Sequence, residues 1–264
     1  MPTRRPSLDF AVGVDSPLFL RNNSVLTTMF AALSSTFPPG EREFVRSVML
    51  YADDVDGELA LRVAEFVKQE GQHSSQHSRA NAWLDTLGFD ATGAMTWMTQ
   101  HVADHAQGSP RDVRLAVTVG LEHLTAVLAH FILSRPDLWE DTPEPVRELL
   151  LWHAVEEIEH KSVAFDVYER CVGDRDLLRR VFAVTTASFA TTVVRLQRRM
   201  LKSIDHRPSL REWADATAFL FGRRGMVPSI ARHYGDFYRR DFHPWDTDDR
   251  DLIEMWKAAH PELG

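Results

Sequence analysis

Residues Trp152–Tyr168 read WHAVEEIEHKSVAFDVY. Two histidines and three glutamates occupy the eight positions from His153 to His160, and an apolar run follows. A helix repeats every 3.6 residues, so positions i, i+3, i+4 and i+7 share a face. His153, Glu157 and His160 fall at +4 and +3 on one stripe, which Leu149, Ala164 and Val167 extend in both directions. Three ligand-type side chains thus lie on an otherwise apolar face. A lone buried carboxylate is costly to ionise. A cation explains a buried His/Glu/His stripe more readily than packing does. Glu156-x-x-Glu159 is the competing choice on this helix, and Glu157 is preferred because it stacks with both histidines. Glu156 and Glu159 are expected to pair with basic residues, or one of them to orient a ligand histidine from behind.

One such helix is a weak signal, so partners matter. In EFVKQEGQHSSQH, Glu70 and His73 form Glu-x-x-His on the face of Val63, Phe66 and Val67. In LAVTVGLEHLTAVLAHF, Glu122 is the lone acid between Val113 and Leu133, with Val119, Ala126 and Ala129 around it. Glu41, in PPGEREFVRSVMLY, shares a face with Phe44, Val45 and Val48, whereas Glu43 is read as a surface partner of Arg46. The chain order is Glu, Glu-x-x-His, Glu, and again Glu-x-x-His. That inventory on four helices is the mark of ferritin-like di-iron and di-manganese bundles. The candidate metal ligands are therefore Glu41, Glu70, His73, Glu122, His153, Glu157 and His160. Four carboxylates would balance two divalent ions, and mixed carboxylate and imidazole donors suit iron or manganese. His77 and His123 are left open between structural roles and an added ligand or proton shuttle.

Helical patterns dominate the whole chain. Helices are expected over Phe19–Thr36, from Pro38 or Pro39 to about Tyr51 after the interrupting FPPGERE, and from Gly57 to about Leu87 with Gly88 as the stop. Further helices are expected over Asp90–His105 and Asp112–Ser134. Another should run from a Thr142 cap to about Cys171, and another over Arg175–Ile204; two or three shorter ones follow. The expected architecture is all-α: an N-terminal arm (1–18), a ferritin-like four-helix bundle (19–204) and additional C-terminal helices (205–264) packed on it. DFHPWDTDD offers His243, Asp246 and Asp248 as a second metal site. It reads better as a turn that docks Phe242 and Trp245, with Asp246 or Thr247 capping the last helix.

The 264 residues carry a formal net charge of −8, which argues against nucleic acid as a partner. One cysteine, Cys171, excludes a disulfide framework and a cysteine-rich zinc site and fits a reducing cytoplasm. Val181–Val194 is the least polar stretch. As a helix it would extend about 21 Å, short of the roughly 30 Å hydrocarbon core, so no stable membrane span is expected. It is read as a buried helix or a homodimer contact, ahead of a membrane-surface helix or a tunnel wall.

The segments FPPGEREFVRSV, FVKQEGQHSSQH, LEHLTAVLAH, WHAVEEIEHKSVAFDVY and DFHPWD resemble a bacterial family described as predicted metal-dependent hydrolases, over about residues 20–255. The ligand pattern also resembles the ferritin-like di-iron N-oxygenases, whose last helix carries His-x-x-x-Glu-x-x-His. That resemblance implies a pair of iron ions that activates O₂, supplied with an electron donor, to oxidise a small organic substrate. An oxygenase or oxidase is accordingly the first expectation. Metal-dependent hydrolysis, with zinc as the ion, is the alternative, and a non-catalytic metal-storage protein is the third. The sequence lacks His-Glu-x-x-His and a His-Asp dipeptide, two marks of other metal hydrolases.

Overall fold

A computed structural model describes residues 3–10 and 16–263. Among these residues the chain is built of helices and turns, with no β-strand. The first helix, α1 (Ser24–Met49), begins where the Asn23 side chain accepts from the amides of Val25 and Leu26. It starts later than the expected Phe19 because Arg21 and Asn22 both take positive φ, which ends any helical run through them.

α1 then continues through Pro38 and Pro39, so the expected break at FPPGERE does not occur. Proline removes an N–H, and the carbonyl of Ser34 is the group that loses its bond to residue 38. The next helix, α2 (Gly57–Thr86), compensates: Asn81 Nδ2 donates to that carbonyl at 3.1 Å. Ser74 Oγ donates to the Pro38 carbonyl at 3.2 Å. The helix interior tolerates Pro38 because a neighbour resatisfies the carbonyl it frees. Gly88, at φ +92, stops α2 as expected.

Next come α3 (Ala91–Ala106) and α4 (Arg111–Ser134), then α5 (Glu144–His160) and α6 (Val163–Cys171). The single helix expected from Thr142 to Cys171 is thus two, broken at Lys161–Ser162. The reason is tertiary. Lys161 Nζ is drawn to Asp249 Oδ2 (2.5 Å) and the Thr247 carbonyl (2.8 Å), while Ser162 Oγ bonds Asp166 Oδ2 (3.0 Å). Pro143, not Thr142, occupies the cap position of α5, and the buried Thr142 hydroxyl has no partner. α7 (Arg175–Ser203), α8 (Leu210–Phe221), α9 (Met226–Asp236) and α10 (Arg250–Ala259) complete the chain.

α1 packs on α2 and α4 on α5, and contacts of α1 with α4 and of α2 with α5 close these four around a common interior. α3 and α7 lie outside, α7 against α1 and α4. The C-terminal helices rest on this body: α8 on α1, α9 on α4, and α10 on α5 and α4.

The N-terminal segment is not the loose arm expected from sequence, as far as it is described; residues 11–15 lie outside the described residues. Arg4, Pro6, Leu8 and Phe10 are buried. Gln76 donates to the Pro6 carbonyl (3.0 Å) and Arg79 to that of Leu8 (2.7 Å), so α2 holds this strap along its length. Val181–Val194 also departs from the buried reading. Phe182 is inside, but Val184 and Val194 are 70% and 45% exposed. By length and hydropathy both α4 and α7 could cross a membrane; most of that window in α4 is buried within the protein, whereas most of it in α7 is not.

Candidate metal centre

Each of the four central helices brings buried acids or histidines to the interior. Glu70, His73, Glu157 and His160 each present a donor atom, all within 4.8 Å of one another. Glu41, His73 and His153 form a second such group. The groups share His73 and therefore adjoin, and every member is buried. This buried Glu/His cluster can coordinate two metal ions.

Glu157 sits at the centre. Its Oε1 is 2.9 Å from His153 Nε2, 3.5 Å from His73 Nδ1 and 3.7 Å from His160 Nε2. Glu41 Oε1 reaches to 3.7 Å of His153 Nε2. His160 Nε2 and Glu70 Oε1 lie 3.1 Å apart, yet neither has a hydrogen-bond partner. Both oxygens of Glu41, both of Glu70, His73 Nδ1 and Glu157 Oε2 are likewise buried and unpartnered. Buried polar atoms are otherwise almost always satisfied. Lone pairs that converge without protons between them are the arrangement a cation resolves, so the residues present fit a pair of metal ions.

The electrostatics agree. Burial, reinforced by the neighbouring carboxylates Glu157 and Glu122, holds Glu41 well above the usual carboxylate range. Burial, then Glu122 and Glu157, does the same to Glu70. Burial raises Glu122 to about 7. Burial also works to raise Glu157, but the imidazoles of His160, His153 and His73 outweigh it and bring its pKa to about 2. His160 goes the other way: burial opposes its charge, but Glu122 and Glu157 lift it to about 9. Without metal ions, protons take the place of the missing positive charge on Glu41, Glu70 and His160.

Glu122, a predicted ligand, lies in neither convergent group. Its Oε2 accepts from His160 Nδ1 at 3.1 Å, which turns His160 Nε2 inward, while its Oε1 is unpartnered. Glu156 acts similarly on His73: its Oε2 lies 3.0 Å from His73 Nε2, leaving Nδ1 to face the cluster. Glu156 is itself held by the Arg4 backbone and guanidinium, both at 3.3 Å from Oε1. Arg4 also forms two bonds with Glu159, at 2.7 and 2.8 Å. Both readings offered for the two acids are realised at once, since they pair with a base and one of them orients a ligand histidine.

His77 does not point at the donors either. The single hydroxyl proton of Ser34 goes to Asn81 Oδ1 (2.7 Å), and Asn81 is fixed in that orientation by its amide bond to the Ser34 carbonyl. Ser34 Oγ must then accept from His77 Nδ1 (3.0 Å). This leaves His77 Nε2 to accept from His153 Nδ1 (2.8 Å). His153 Nε2 is thereby the nitrogen that faces Glu157 and Glu41, and a proton or a cation must lie between them. His123 is buried against Phe182, Phe237 and Phe242, with its Nε2 unpartnered, away from the cluster.

The second site considered in DFHPWDTDD is not assembled. His243 Nε2 bonds Asp166 (3.1 Å), Asp246 bonds the His243 amide (3.2 Å), and Asp248 pairs with Arg250 (3.0 Å). Phe242 is buried and Trp245 stacks under Lys161, so the segment docks as expected, although Asp249, not Asp246 or Thr247, occupies the cap position of α10. Glu43 pairs with Arg114 (2.6 Å) more closely than with Arg46 (4.0 Å). Arg4 carried no spacing signal, because it acts on the site from a distant part of the chain, whereas Asn81 at +4 from His77 and Ser34 at −7 from Glu41 lie at helical spacing and were missed because neither is a ligand type.

Fold and site together define an all-helical protein with an interior centre for two metal ions. The chain belongs to the family described as predicted metal-dependent hydrolase, which matches it over residues 2–248. No curated protein and no solved structure matches it.

Proposed function

We propose that the protein is a two-metal enzyme of the ferritin-like type, acting on a small organic substrate. The observation that carries this is the set of buried, unpartnered donor atoms on Glu41, Glu70, His73, Glu157 and His160, converging from three helices. Glu122 joins from α4 by orienting His160, and its second oxygen remains to be offered to an ion. When bound, an iron or manganese pair would supply O₂ activation, and a mixed Glu/His donor set supports that oxidative reading. The chain's own residues hold the ions, fix the imidazoles by bonds to Glu156, Glu122 and His77, and keep water out of the interior. An external electron donor completes the oxidative reading.

Hydrolysis is the second reading, and the family description favours it over oxidation. A two-metal centre can activate water and clamp a developing oxygen charge. The basic residue nearest on α5, Lys161, does not serve such a reaction, being paired with Asp249. One experiment separates the readings. The protein is purified anaerobically, loaded with Fe(II) or Zn(II), and analysed for bound metal. The iron form is then mixed with O₂ under stopped flow, and the zinc form is assayed on simple esters. A transient visible band in the iron form supports oxidation; ester turnover by the zinc form without O₂ uptake supports hydrolysis. Failure to retain either metal overturns both.

A further inference from the structure

Beside the metal centre lies a cavity of about 110 Å³ whose floor is His77, His153 and Glu157. Phe30, Leu33 and Phe37 of α1 form one wall, and Leu128, Ala129 and Ile132 of α4 another. Trp139, Phe219 and Met226 close it from the chain beyond α4 and from α8 and α9. Among the described residues that line it there is no lysine or arginine, and Glu157 is the sole acid.

The polar side chains of the lining are already engaged. Trp139 Nε1 donates to the Ile132 carbonyl (3.0 Å) and Thr125 Oγ1 to that of Glu122 (3.0 Å). His77 bonds Ser34 and His153, and His153 bonds Glu157. Glu157 Oε2 is the lining side-chain atom left without a partner, and it faces the metal centre in the reading above. A guest therefore meets hydrocarbon on its walls and the metal centre at its floor. An anionic guest finds no lysine or arginine on the walls, and a cationic one competes with the metal ions for Glu157.

We propose that this cavity is the substrate pocket and that it selects an uncharged, hydrocarbon-like molecule: a single aromatic ring or an alkyl chain of similar bulk. A dry apolar cavity of about 150 Å³ takes up benzene, and this one is smaller, about 110 Å³, so the guest is no bulkier than one unsubstituted ring. The inference deepens the two-metal reading and rests on it for the word substrate, but the binding preference stands on the lining alone.

The test uses 1-hexanol, hexanoate and hexylamine as probes, with binding followed by calorimetry near neutral pH on the metal-free and the Zn(II)-loaded protein. Hexanol is expected to bind at least about tenfold more tightly than hexanoate to the metal-free protein, and at least about tenfold more tightly than hexylamine to the Zn(II)-loaded protein. Ala129→Phe, which fills the cavity, is expected to weaken hexanol by about tenfold or more with metal content unchanged. Leu33→Lys, which puts a cation in the half-buried wall, is expected to bring hexanoate to within about threefold of hexanol. Hexanoate binding as tightly as hexanol to the metal-free natural chain overturns the proposal. So does a folded Ala129→Phe variant with undiminished hexanol affinity. If Ala129→Phe does not fold, the Leu33→Lys result decides, and an unchanged hexanoate affinity there counts against the pocket. Retention of two ions without hexanol binding sinks this inference alone; hexanol binding without metal retention sinks the two-metal reading alone.

Discussion

Two buried polar clusters flank His160 along the chain, and they differ in one respect. In the first, Lys161 and Asp249 are inside the protein, and the cation meets an anion. Lys161 bonds Asp249 and the Thr247 carbonyl over the Trp245 ring, and the other Asp249 oxygen takes His130 Nδ1 at 2.6 Å. Burial would raise Asp249, but His130 and Lys161 outweigh it and hold it below the usual carboxylate range. In the second, Glu41 and Glu70 face imidazoles and other carboxylates, with no ion pair to a lysine or arginine among the described residues, and burial first, then the neighbouring carboxylates, holds them well above that range. Burial of charge is common to both. What marks the second as a site is carboxylates and imidazole lone pairs in excess of the protons and cations available to them. The first is a structural pin that docks the C-terminal segment on α5.

That contrast can be broken by mutation. The largest expected effect is at the centre of the metal cluster: Glu157→Ala removes the oxygen closest to three imidazoles and should reduce bound metal from about two ions per chain to one or none. Metal analysis of the purified variant checks it, and full metal retention would undo the assignment. Next is Lys161→Met, which removes the ammonium from Asp249 Oδ2 and leaves His130 as the remaining partner of that buried carboxylate. It should cost about 3–5 kcal/mol in denaturant unfolding while metal content per folded chain stays unchanged. Adding Asp249→Leu should recover much of that loss.

The third concerns pH. In the metal-free protein Glu41, Glu70, Glu122 and His160 all have folded pKa values above their unfolded ones. Above about pH 7 the unfolded carboxylates and imidazoles have largely lost their protons, whereas in the folded state Glu122 (about 7) and His160 (about 9) release theirs only within the alkaline window. The folded state then binds more protons, so stability falls as pH rises, by up to about 1.4 kcal/mol per pH unit for each proton held. His73 and His77 are pushed well below their usual range, chiefly by burial, and are neutral in both states there, so they do not oppose the trend. Unfolding of the metal-free protein between pH 7 and 9 measures it, and loading with divalent ions should abolish the decline. The smallest effect belongs to Glu156→Gln, which keeps the shape but loses the carboxylate between Arg4 and His73. Metal affinity should fall about 10–100-fold, read by competition with a chelator. An unchanged affinity would make Arg4 and Glu156 a second structural pin, like Lys161 and Asp249.

Much of the site was legible before any coordinates. His153, Glu157 and His160 announce one face by spacing, and Glu70 and His73 announce another, because side-chain direction in a helix follows from local geometry. Glu41 was separable from Glu43 on the same basis. Glu122 was readable as inward, but not as the partner of His160 Nδ1, since that bond depends on how α4 meets α5. The break after His160 was hidden because Ala164 and Val167 keep the apolar stripe in register across it. The continuity of α1 was hidden because the bond that Pro38 cannot make to the Ser34 carbonyl is supplied by Asn81 on another helix.

The amino-acid order by itself determined that the chain is helical, which faces turn inward and which residue types those faces carry, since all three depend on neighbours within about two turns. Tertiary structure alone decided which lone pairs converge and which are capped. Arg4 reaches Glu156 across 152 positions, and Ser34 and Asn81 set the His77–His153 pair across the α1–α2 contact. Hydrogen bonds and charge balance act through space, so no local period records them. The same physics separates a carboxylate that awaits a metal ion from one that has already found its lysine.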